Sequence, residues 1–302
     1  MKRGLLVCSF LALLCSCSSK QAGANLDPSF ALLIPPDSTA IACVRIDLLQ
    51  KTDAYKKYFG DYMVGSVDEL ARQIGVDPRK NLWEVVYVSN GKQSALLGRG
   101  MFSDESEPRL DNLTKQGAKR FGYKGFNFVG NDDKAILLIS QTVVAAGDTP
   151  FLKQMIDSRD KSTGPPPALA VLLKDIPHDM QLWGVYSGGP VELPFALEGN
   201  LANAGKMLSL IQQGSYYFDL RTGLNGVVLG QGKNEQDAQQ LEGALKALLG
   251  MGRLMTPANQ PGLQKLWDGF RVTEEARRVK LYVDQPEEMV GQLASLVKTF
   301  RR

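Results

Sequence analysis

The stretch LWEVVYVSNGKQSALLGRGMF, residues 82–102, sets the type of fold that the sequence predicts. It holds two apolar runs, LWEVVYVS and SALLGRGMF, and the dipeptide Asn90-Gly91 stands between them. Asn-Gly between two apolar runs is the strongest short-range signal of a β-hairpin, because both residues tolerate the positive φ of a tight hairpin turn. The stretch therefore predicts two antiparallel strands joined near Asn90-Gly91.

Pairs of strands followed by a helix recur along the rest of the chain. The segments GFNFVG, AILLIS and VVAAG predict three short strands, and Asp148-Thr149-Pro150 then opens a helix, since an N-cap aspartate and an early proline are typical helix starts. In the second half, SYYFDLRT and GVVLGQGK precede the helical stretch DAQQLEGALKALL, and FRVTEEARRVKLYVD precedes a helix that Pro286 opens. Two strands and a helix cannot bury their apolar faces alone, so these units are expected to share sheets.

The sequence thus predicts an α+β fold with two halves of repeated strand-strand-helix units. Each half is expected to be an antiparallel sheet with helices on one face, of a ferredoxin-like type. Residues 162–167 include three consecutive prolines, which favour stiff extended backbone and predict a linker. The predicted organisation is a signal peptide at 1–16, a flexible tether at 17–28, a first domain at 29–161, the linker at 162–167 and a second domain at 168–302.

The first residues are typical of an export signal. Lys2 and Arg3 precede an apolar run over residues 5–14. The run makes about 15 Å of helix, half of the ~30 Å hydrocarbon core of a bilayer, and it fits a signal peptide better than a membrane span. The next residues, Leu14-Cys15-Ser16-Cys17, resemble a bacterial lipobox. They predict cleavage before Cys17 and acylation of Cys17.

Ordinary cleavage after Ala22-Gly23-Ala24 is the alternative, and it would release a soluble protein that begins at Asn25. With lipidation, Ser18 and Ser19 stand where inner-membrane lipoproteins of enteric bacteria carry a retaining aspartate. The resemblance to lipoproteins therefore implies the outer membrane, with the protein facing the periplasm. Cys43 then remains as a single cysteine, which has no partner for an internal disulfide.

Composition excludes several classes of function. The chain has 35 lysines and arginines and 32 acidic residues, so loss of Lys2 and Arg3 leaves 33 against 32. This balance gives no electrostatic footprint for nucleic acid. One histidine and one remaining thiol do not make a zinc site. Residues 230–233, GQGK, lack the spacing of a phosphate-binding loop and predict a turn before a helix N-cap, so neither a nucleotide nor another cofactor is expected.

Three classes of function stay open, and a non-catalytic binding or scaffolding role is favoured. It is an envelope protein that binds a partner or acts as a scaffold. The alternatives are a hydrolase with paired carboxylates, for which many acidic residues are available, and a carrier of apolar ligands, which needs a cavity. Cys43 and His178 are the available nucleophile and base, but strand alternation predicts that Cys43 is a packed thiol.

Residues 183–197, WGVYSGGPVELPFAL, are the candidate partner surface, because they contain one charged residue, Glu192. Apolar connecting segments are unusual, since loops normally run over the surface. Either this segment folds under its own sheet as part of the core, or its aromatic residues contact a partner. The residues proposed for such a surface are Trp183, Tyr186, Pro190 and Phe195.

Several runs resemble a group of uncharacterised exported, lipoprotein-like proteins from soil bacteria of the acidobacterial type. The runs are PPDSTAIACVRIDLLQKTDAYKKY, VDPRKNLWEVVYVSNGKQSALLGRGMF, YKGFNF, TVVAAGDTPFLKQMID and MQLWGVYSG. They cover strand ends and turns through most of the chain and include no catalytic signature. The resemblance implies a bacterial origin and the same architecture, and it implies no activity.

Overall fold

The computed structural model describes residues 26–59, 78–102, 110, 112–115, 117–161, 164–188, 209–257, 259 and 261–292. The strands are β1 Ala40–Val44, β2 Leu82–Ser89, β3 Ser94–Gly100, β4 Lys119–Tyr123, β5 Phe126–Gly130, β6 Lys134–Ser140, β7 Val143–Asp148, β8 Leu182–Ser187, β9 Ile211–Asp219, β10 Leu224–Gly232, β11 Phe270–Glu275 and β12 Arg278–Gln285. The α-helices are α1 Pro28–Ala31, α2 Ile46–Leu49, α3 Pro78–Asn81, α4 Thr149–Lys161, α5 Pro167–Lys174, α6 Glu235–Met255 and α7 Pro261–Leu266. A π-helix covers Tyr55–Phe59, a 3-10 turn covers Trp267–Gly269, and residues 287–292 are helical.

Within these residues, twelve strands form one sheet in the order β11-β12-β10-β9-β8-β1-β2-β3-β7-β6-β5-β4. Every neighbouring pair is antiparallel. The predicted α+β class with antiparallel strands is therefore confirmed. No helix in the described part of the chain is long and apolar enough to cross a membrane.

The hairpin predicted around Asn90-Gly91 forms as β2 and β3. Asn90 Oδ1 accepts hydrogen bonds from the backbone N–H groups of Lys92 and Gln93 at 3.0 and 2.9 Å. Gly91 has φ +85°, which glycine adopts without the steric cost of a side chain. The turn chemistry and the backbone geometry therefore agree at this site.

The expectation of a separate sheet in each half is wrong. β1 pairs with β2 on one side and with β8 on the other, and this joins strands from both halves. Its side chains alternate, so that Ile41 and Cys43 are buried while Ala42 is half-buried. Both edges of this short strand carry backbone N–H and C=O groups that need hydrogen-bond partners. One edge pairs with a strand of the first half, and the other edge pairs with a strand of the second half. Residues 164–166 lie between α4 and α5, and their role as a domain boundary stays a prediction.

Helices lie on both faces of the sheet, which corrects the expectation of one covered face. We call the face that carries Ile41 and Cys43 the front face, and the face that carries Ala42 the back face. Buried side chains of α4 and α5 share one core cluster with Ile41 on the front face. On the back face, Leu241 of α6 packs against Val279, which the register of β12, β10, β9 and β8 places on the same face as Ala42. A long sheet with two apolar faces needs cover on both sides.

The end of the predicted tether is fixed to the fold. Pro28 begins α1, and Asp27 caps this helix by accepting from the Ser29 backbone N–H at 2.9 Å. Phe30 is fully buried in the front-face core. Burial of this aromatic ring stabilises the attachment, so residues 26–28 belong to the folded part. The signal peptide and Cys17 lie outside the described residues.

Candidate functional site

A cluster of polar side chains closes one end of the front face, where β1, β2 and β3 meet. The thiol of Cys43 donates a hydrogen bond to Glu84 Oε1 at 3.2 Å. Arg99 Nε lies 3.4 Å from Glu84 Oε2 and 3.2 Å from Asp27 Oδ2. Glu84 and Arg99 are direct cross-strand partners beside an irregularity at Trp83, whose ring centroid is 5.4 Å from the Arg99 guanidinium carbon. The Glu84 carboxylate is thus held by one thiol and one arginine.

Burial raises the pKa of the Cys43 thiol well above its ordinary value, and the charge of Glu84 raises it further. Only 2% of Cys43 is exposed. Because the thiolate is the nucleophilic form of cysteine, a buried thiol that donates to a carboxylate is unsuited to attack a substrate. The proposed pairing of Cys43 with His178 as nucleophile and base therefore does not fit this geometry.

The geometry of this cluster also decides whether Glu84 and Asp27 could act as a pair of catalytic carboxylates. Burial raises the pKa of Glu84, although Cys43, Arg99 and Arg45 act to lower it. Its side chain is 2% exposed, whereas that of Asp27 is 25% exposed, and the Arg99 guanidinium lies between the two carboxylates. A glycosidase needs both carboxyl groups to reach the substrate. Glu84 and Asp27 do not provide such a pair, and the cluster is best described as structural.

The back face carries an uncharged surface over six neighbouring strands, β10, β9, β8, β1, β2 and β3. Direct cross-strand partners form a central row of Val228, Tyr216, Gly184, Ala42, Tyr87 and Leu96. The row on one side is Gly230, Gly214, Tyr186, Ala40, Ser89 and Ser94. The row on the other side is Gly226, Phe218, Leu182, Val44, Val85 and Gly98. We call these three rows, which contain no charged residue, the apolar face.

The central row of the apolar face is open to solvent at three large side chains. Tyr87 and Leu96 are each 40% exposed, and Val228 is 37% exposed. Single exposed apolar residues are common on soluble proteins, but a contiguous uncharged patch is typical of a contact surface. The apolar face is therefore the strongest candidate binding surface among the described residues.

Two glycines keep this surface flat. A Cβ on Gly184 would lie 2.5 Å from the Tyr216 ring, so the ring occupies the space above the glycine. A Cβ on Gly226 would meet the Tyr217 backbone oxygen first and the Phe218 ring next, so Phe218 also covers a glycine. The two rings are 6.1 Å apart between centroids. Burial raises the pKa of Tyr216, as expected for a phenol held against the sheet. Rings over glycines therefore form a continuous aromatic surface beside Ala42.

The structure divides the four residues of the predicted partner surface. Trp183 is 2% exposed and belongs to the front-face core, so its assignment to a partner surface is corrected: it is a core residue. The physical reason is alternation, because residues 182–187 form the central strand β8 and not a loop. Tyr186 is half-buried and lies on the apolar face. Pro190 and Phe195 lie outside the described residues, and their roles stay predictions.

The glycine-rich stretch at 230–233 ends β10 and leads into α6. The side chain of Asn234 accepts from the Asp237 backbone N–H at 2.8 Å, which is an N-cap. The predicted turn and cap are confirmed, and this stretch needs no phosphate to explain it. Among the described residues, no group of three or more histidine, cysteine, aspartate or glutamate side chains is placed to hold a metal ion.

The sequence analysis missed Tyr87, Leu96 and Val228 as surface residues. The available signal was that β2, with VVYV at 85–88, is apolar at successive positions and hence on both faces. Such a strand is normally covered on both sides. Periodicity cannot tell which of its two faces a helix covers, because that depends on elements far away in the sequence.

Comparison with known proteins informs the fold alone. Neither the family models nor the curated proteins include a match. Crystal form III of the protein TP0453 matches with a TM-score of 0.53 and 10% identity, covering 89% of this chain and 98% of that chain. Crystal form I of TP0453 matches with a TM-score of 0.49 and 10% identity, covering 90% and 98%. At this identity, the form III structure supports a similar arrangement of strands and helices and no shared function.

Proposed function

We propose that this chain is a lipid-anchored protein of the bacterial cell envelope that binds a partner protein without catalysing a reaction. The observation that carries the proposal is the apolar face, with Tyr87, Leu96 and Val228 exposed in its central row. Uncharged surfaces rich in tyrosine and aliphatic side chains are suited to protein contact, because burying them removes apolar area from water at no cost in charge desolvation.

The envelope location is supported by the sequence. Leu14-Cys15-Ser16-Cys17 follows a short apolar run, as in bacterial lipoproteins, and Cys17 is the proposed acylated residue. Acyl chains contribute about 0.8 kcal/mol per buried methylene, so more than one chain gives a durable attachment. Ser18 and Ser19 and the resemblance to exported proteins of soil bacteria support a position at the outer membrane, facing the periplasm.

The non-catalytic character is supported by the chemistry of the buried cluster. Cys43 is a protonated, enclosed thiol, and Glu84 is closed to substrate. A hydrolase that uses paired carboxylates would need both groups accessible, and a carrier of apolar ligands would need an enclosed apolar cavity. The exposed part of the apolar face, at Tyr87, Leu96 and Val228, is an open surface and suits a protein partner better than either.

The finer organisation of the fold is also a proposal. β9, β10 and α6 follow each other along the chain, as do β11, β12 and the helical residues 287–292. We propose that these are repeats of one strand-strand-helix unit of a ferredoxin-like type. The two units pair through β10 and β12, as repeated units that share a sheet would.

Mass spectrometry of the mature N-terminus tests the anchor. The expected species begins at Cys17, carries acyl mass and fractionates with membranes, whereas a Cys17→Ser variant is neither acylated nor retained there. A mature protein that begins at Asn25 with a free amine would overturn the anchor, and the apolar face could still bind its partner from solution.

Photo-crosslinking in intact cells tests the binding face. A benzophenone amino acid in place of Leu96 is expected to give discrete crosslinked products, because this residue is exposed in the central row of the apolar face. The matched control is the same substitution at Val171, which is 60% exposed on α5. Tyr87→Lys should remove the products from position 96 while leaving the melting temperature nearly unchanged, since surface substitutions are usually within about 0.5 kcal/mol. Equal products from positions 96 and 171 would contradict the proposal.

A further inference from the structure

The sheet ends in two strands that pair on one side only. Within the described residues, β11 lies at one edge of the sheet and β4 at the other. Neither strand contains a proline, and their pairings with β12 and β5 have no irregularity. Prolines and bulges commonly protect sheet edges, because the unpaired N–H and C=O groups of an edge can pair with another strand. Both edges of this sheet are therefore regular enough to receive a further strand.

The loops beside the two edge strands identify which backbone groups point outward. The two-residue loop Lys124-Gly125 joins β4 to β5, and the loop Ala276-Arg277 joins β11 to β12. The residues that flank such a loop exchange both backbone hydrogen bonds, and every second residue along the strand does the same. The N–H and C=O groups of Gly122 therefore point outward from β4, and those of Val272 and Glu274 point outward from β11.

The burial of each edge strand identifies which side chains lie on which face. Phe121 of β4 packs against the front-face core, so Lys119, two residues before it, also lies on the front face. Val272 of β11 packs against the back-face cluster beneath α6. Because side chains alternate along a strand, Glu275 lies on the front face. Lys119 and Glu275 are therefore exposed on the same face at opposite ends of the sheet.

We infer that β4 of one copy of this chain pairs with β11 of a second copy, so that one sheet continues into the next. All neighbouring pairs among the twelve strands are antiparallel, so the first and the last strand run in opposite directions and the new pair is antiparallel as well. The register sets Gly122 opposite Val272. This register brings the outward backbone groups of both strands together and joins front face to front face. The inference goes beyond the proposed function, because it uses the two edges of the sheet and not the apolar face.

Charge complementarity favours this register and this partner. On the front face the register sets Lys119 opposite Glu275, and neither residue forms an ion pair in the described part of the chain. On the back face it sets Arg120 opposite Glu274. Opposite charges directly across two strands stabilise their pairing, whereas like charges destabilise it. Two β11 strands paired in phase would set Glu274 opposite an apolar residue or a second Glu274, and the charged residues of two β4 strands are all basic.

Disulfide crosslinking tests the register in the chain without its signal peptide, with Cys17→Ser to remove that thiol. Lys119→Cys combined with Glu275→Cys is expected to give dimers and longer oligomers on mild oxidation. The paired positions are about 4.5 Å apart between Cα atoms, which a disulfide can bridge, whereas eleven strand spacings separate them by about 50 Å within one copy. The matched control is Lys119→Cys with Arg271→Cys, which is out of register by about 13 Å. Equal yields from the two pairs, or no oligomer from the first pair, would overturn the inference.

Charge reversal then tests which strands pair. Sedimentation velocity over a range of concentrations measures association of the Cys17→Ser chain. Lys119→Glu and Glu275→Lys are each expected to weaken association about fivefold, and the two together to restore it, because the charges are then exchanged across the junction. Lys92→Glu is the control, since this exposed lysine lies in the turn between β2 and β3. A monomer at every concentration would overturn the inference. Weakening by Glu275→Lys but not by Lys119→Glu would show instead that two β11 edges pair.

Discussion

At the scale of single residues, Glu84 shows how a charge is kept inside this fold. Its side chain is 2% exposed, yet its two carboxylate oxygens are each within reach of a donor, Cys43 Sγ at 3.2 Å and Arg99 Nε at 3.4 Å. Burial nevertheless dominates and raises the pKa of Glu84 above its ordinary value. The ionised form is therefore less favourable in the folded protein than in the unfolded chain, because desolvation outweighs the contacts.

Glu84 is predicted to make stability depend on pH. A raised pKa in the folded state gives stability that is fully present below the unfolded pKa, near 4.5, and is lost as the pH rises through the folded pKa. Each unit of pKa elevation corresponds to about 1.4 kcal/mol. The stability of the wild type relative to Glu84→Gln should therefore fall as the pH rises above 4.5. Urea denaturation of both proteins at several pH values measures it, and two parallel pH curves would contradict the prediction.

The sequence predicted the burial of Cys43 but not the burial of Glu84. Alternation in the run TAIACVRID predicted a packed thiol, and Cys43 is indeed buried. The burial of Glu84 could not be predicted, since its position in the run LWEVVYVS is equally compatible with an exposed charge. Its partner Arg99 becomes a neighbour through the hairpin register, which is continuous from Ser89–Ser94 to Glu84–Arg99 and shifts by one residue only beyond this pair, at Trp83. The turn therefore indicates the pairing with Arg99, but alternation around an irregularity does not indicate which face of β2 is buried there.

At the scale of elements, β8 and β9 together build the flattest part of the apolar face. Gly184 and Tyr216 are direct cross-strand partners, and the ring of Tyr216 lies where a side chain at 184 would stand. Glycine in a strand costs more backbone conformational entropy on folding than other residues, and it has no side chain whose packing could compensate. The covering ring offsets that loss by burying its own apolar surface.

Gly184→Ala is predicted to push the Tyr216 ring away from the sheet. Overpacking costs about 1–3 kcal/mol, and the lower end is expected here because the clash involves the far end of a movable side chain. The pKa of Tyr216, raised by burial, should fall toward its ordinary value as the phenol gains water, which NMR of labelled tyrosine can measure. Gly243→Ala is the control. A side chain there meets nothing within 4 Å on α6, so stability should rise by about 1 kcal/mol. An unchanged Tyr216 pKa in Gly184→Ala would contradict the proposed contact.

At the scale of the whole molecule, local signals predicted the strands but not how they join. The Asn90-Gly91 turn and the helix start at Asp148-Thr149-Pro150 are local signals, and the structure places β2, β3 and α4 where those signals indicated. The pairing of β1 with β8 brings residue 44 beside residue 182. Neither short apolar segment contains a signal for the strand with which it pairs, since alternation specifies which face of a strand is buried and not which strand lies beside it. The sequence therefore predicted two sheets where one is present.

The continuous sheet predicts that the two halves stay together after the chain is cut between them. A protease site inserted after Gly164 should be accessible, because this residue has φ +65° and a side chain there would meet nothing within 4 Å. After cleavage, the fragments are expected to elute as one particle in size-exclusion chromatography. β1 and β8 keep five registered pairs across the cut, and Trp183 stays buried in the core that both halves build. Urea should then release both fragments together. Separate elution of two folded fragments would show instead that 162–167 divides independent domains, and that the β1–β8 junction contributes little to stability.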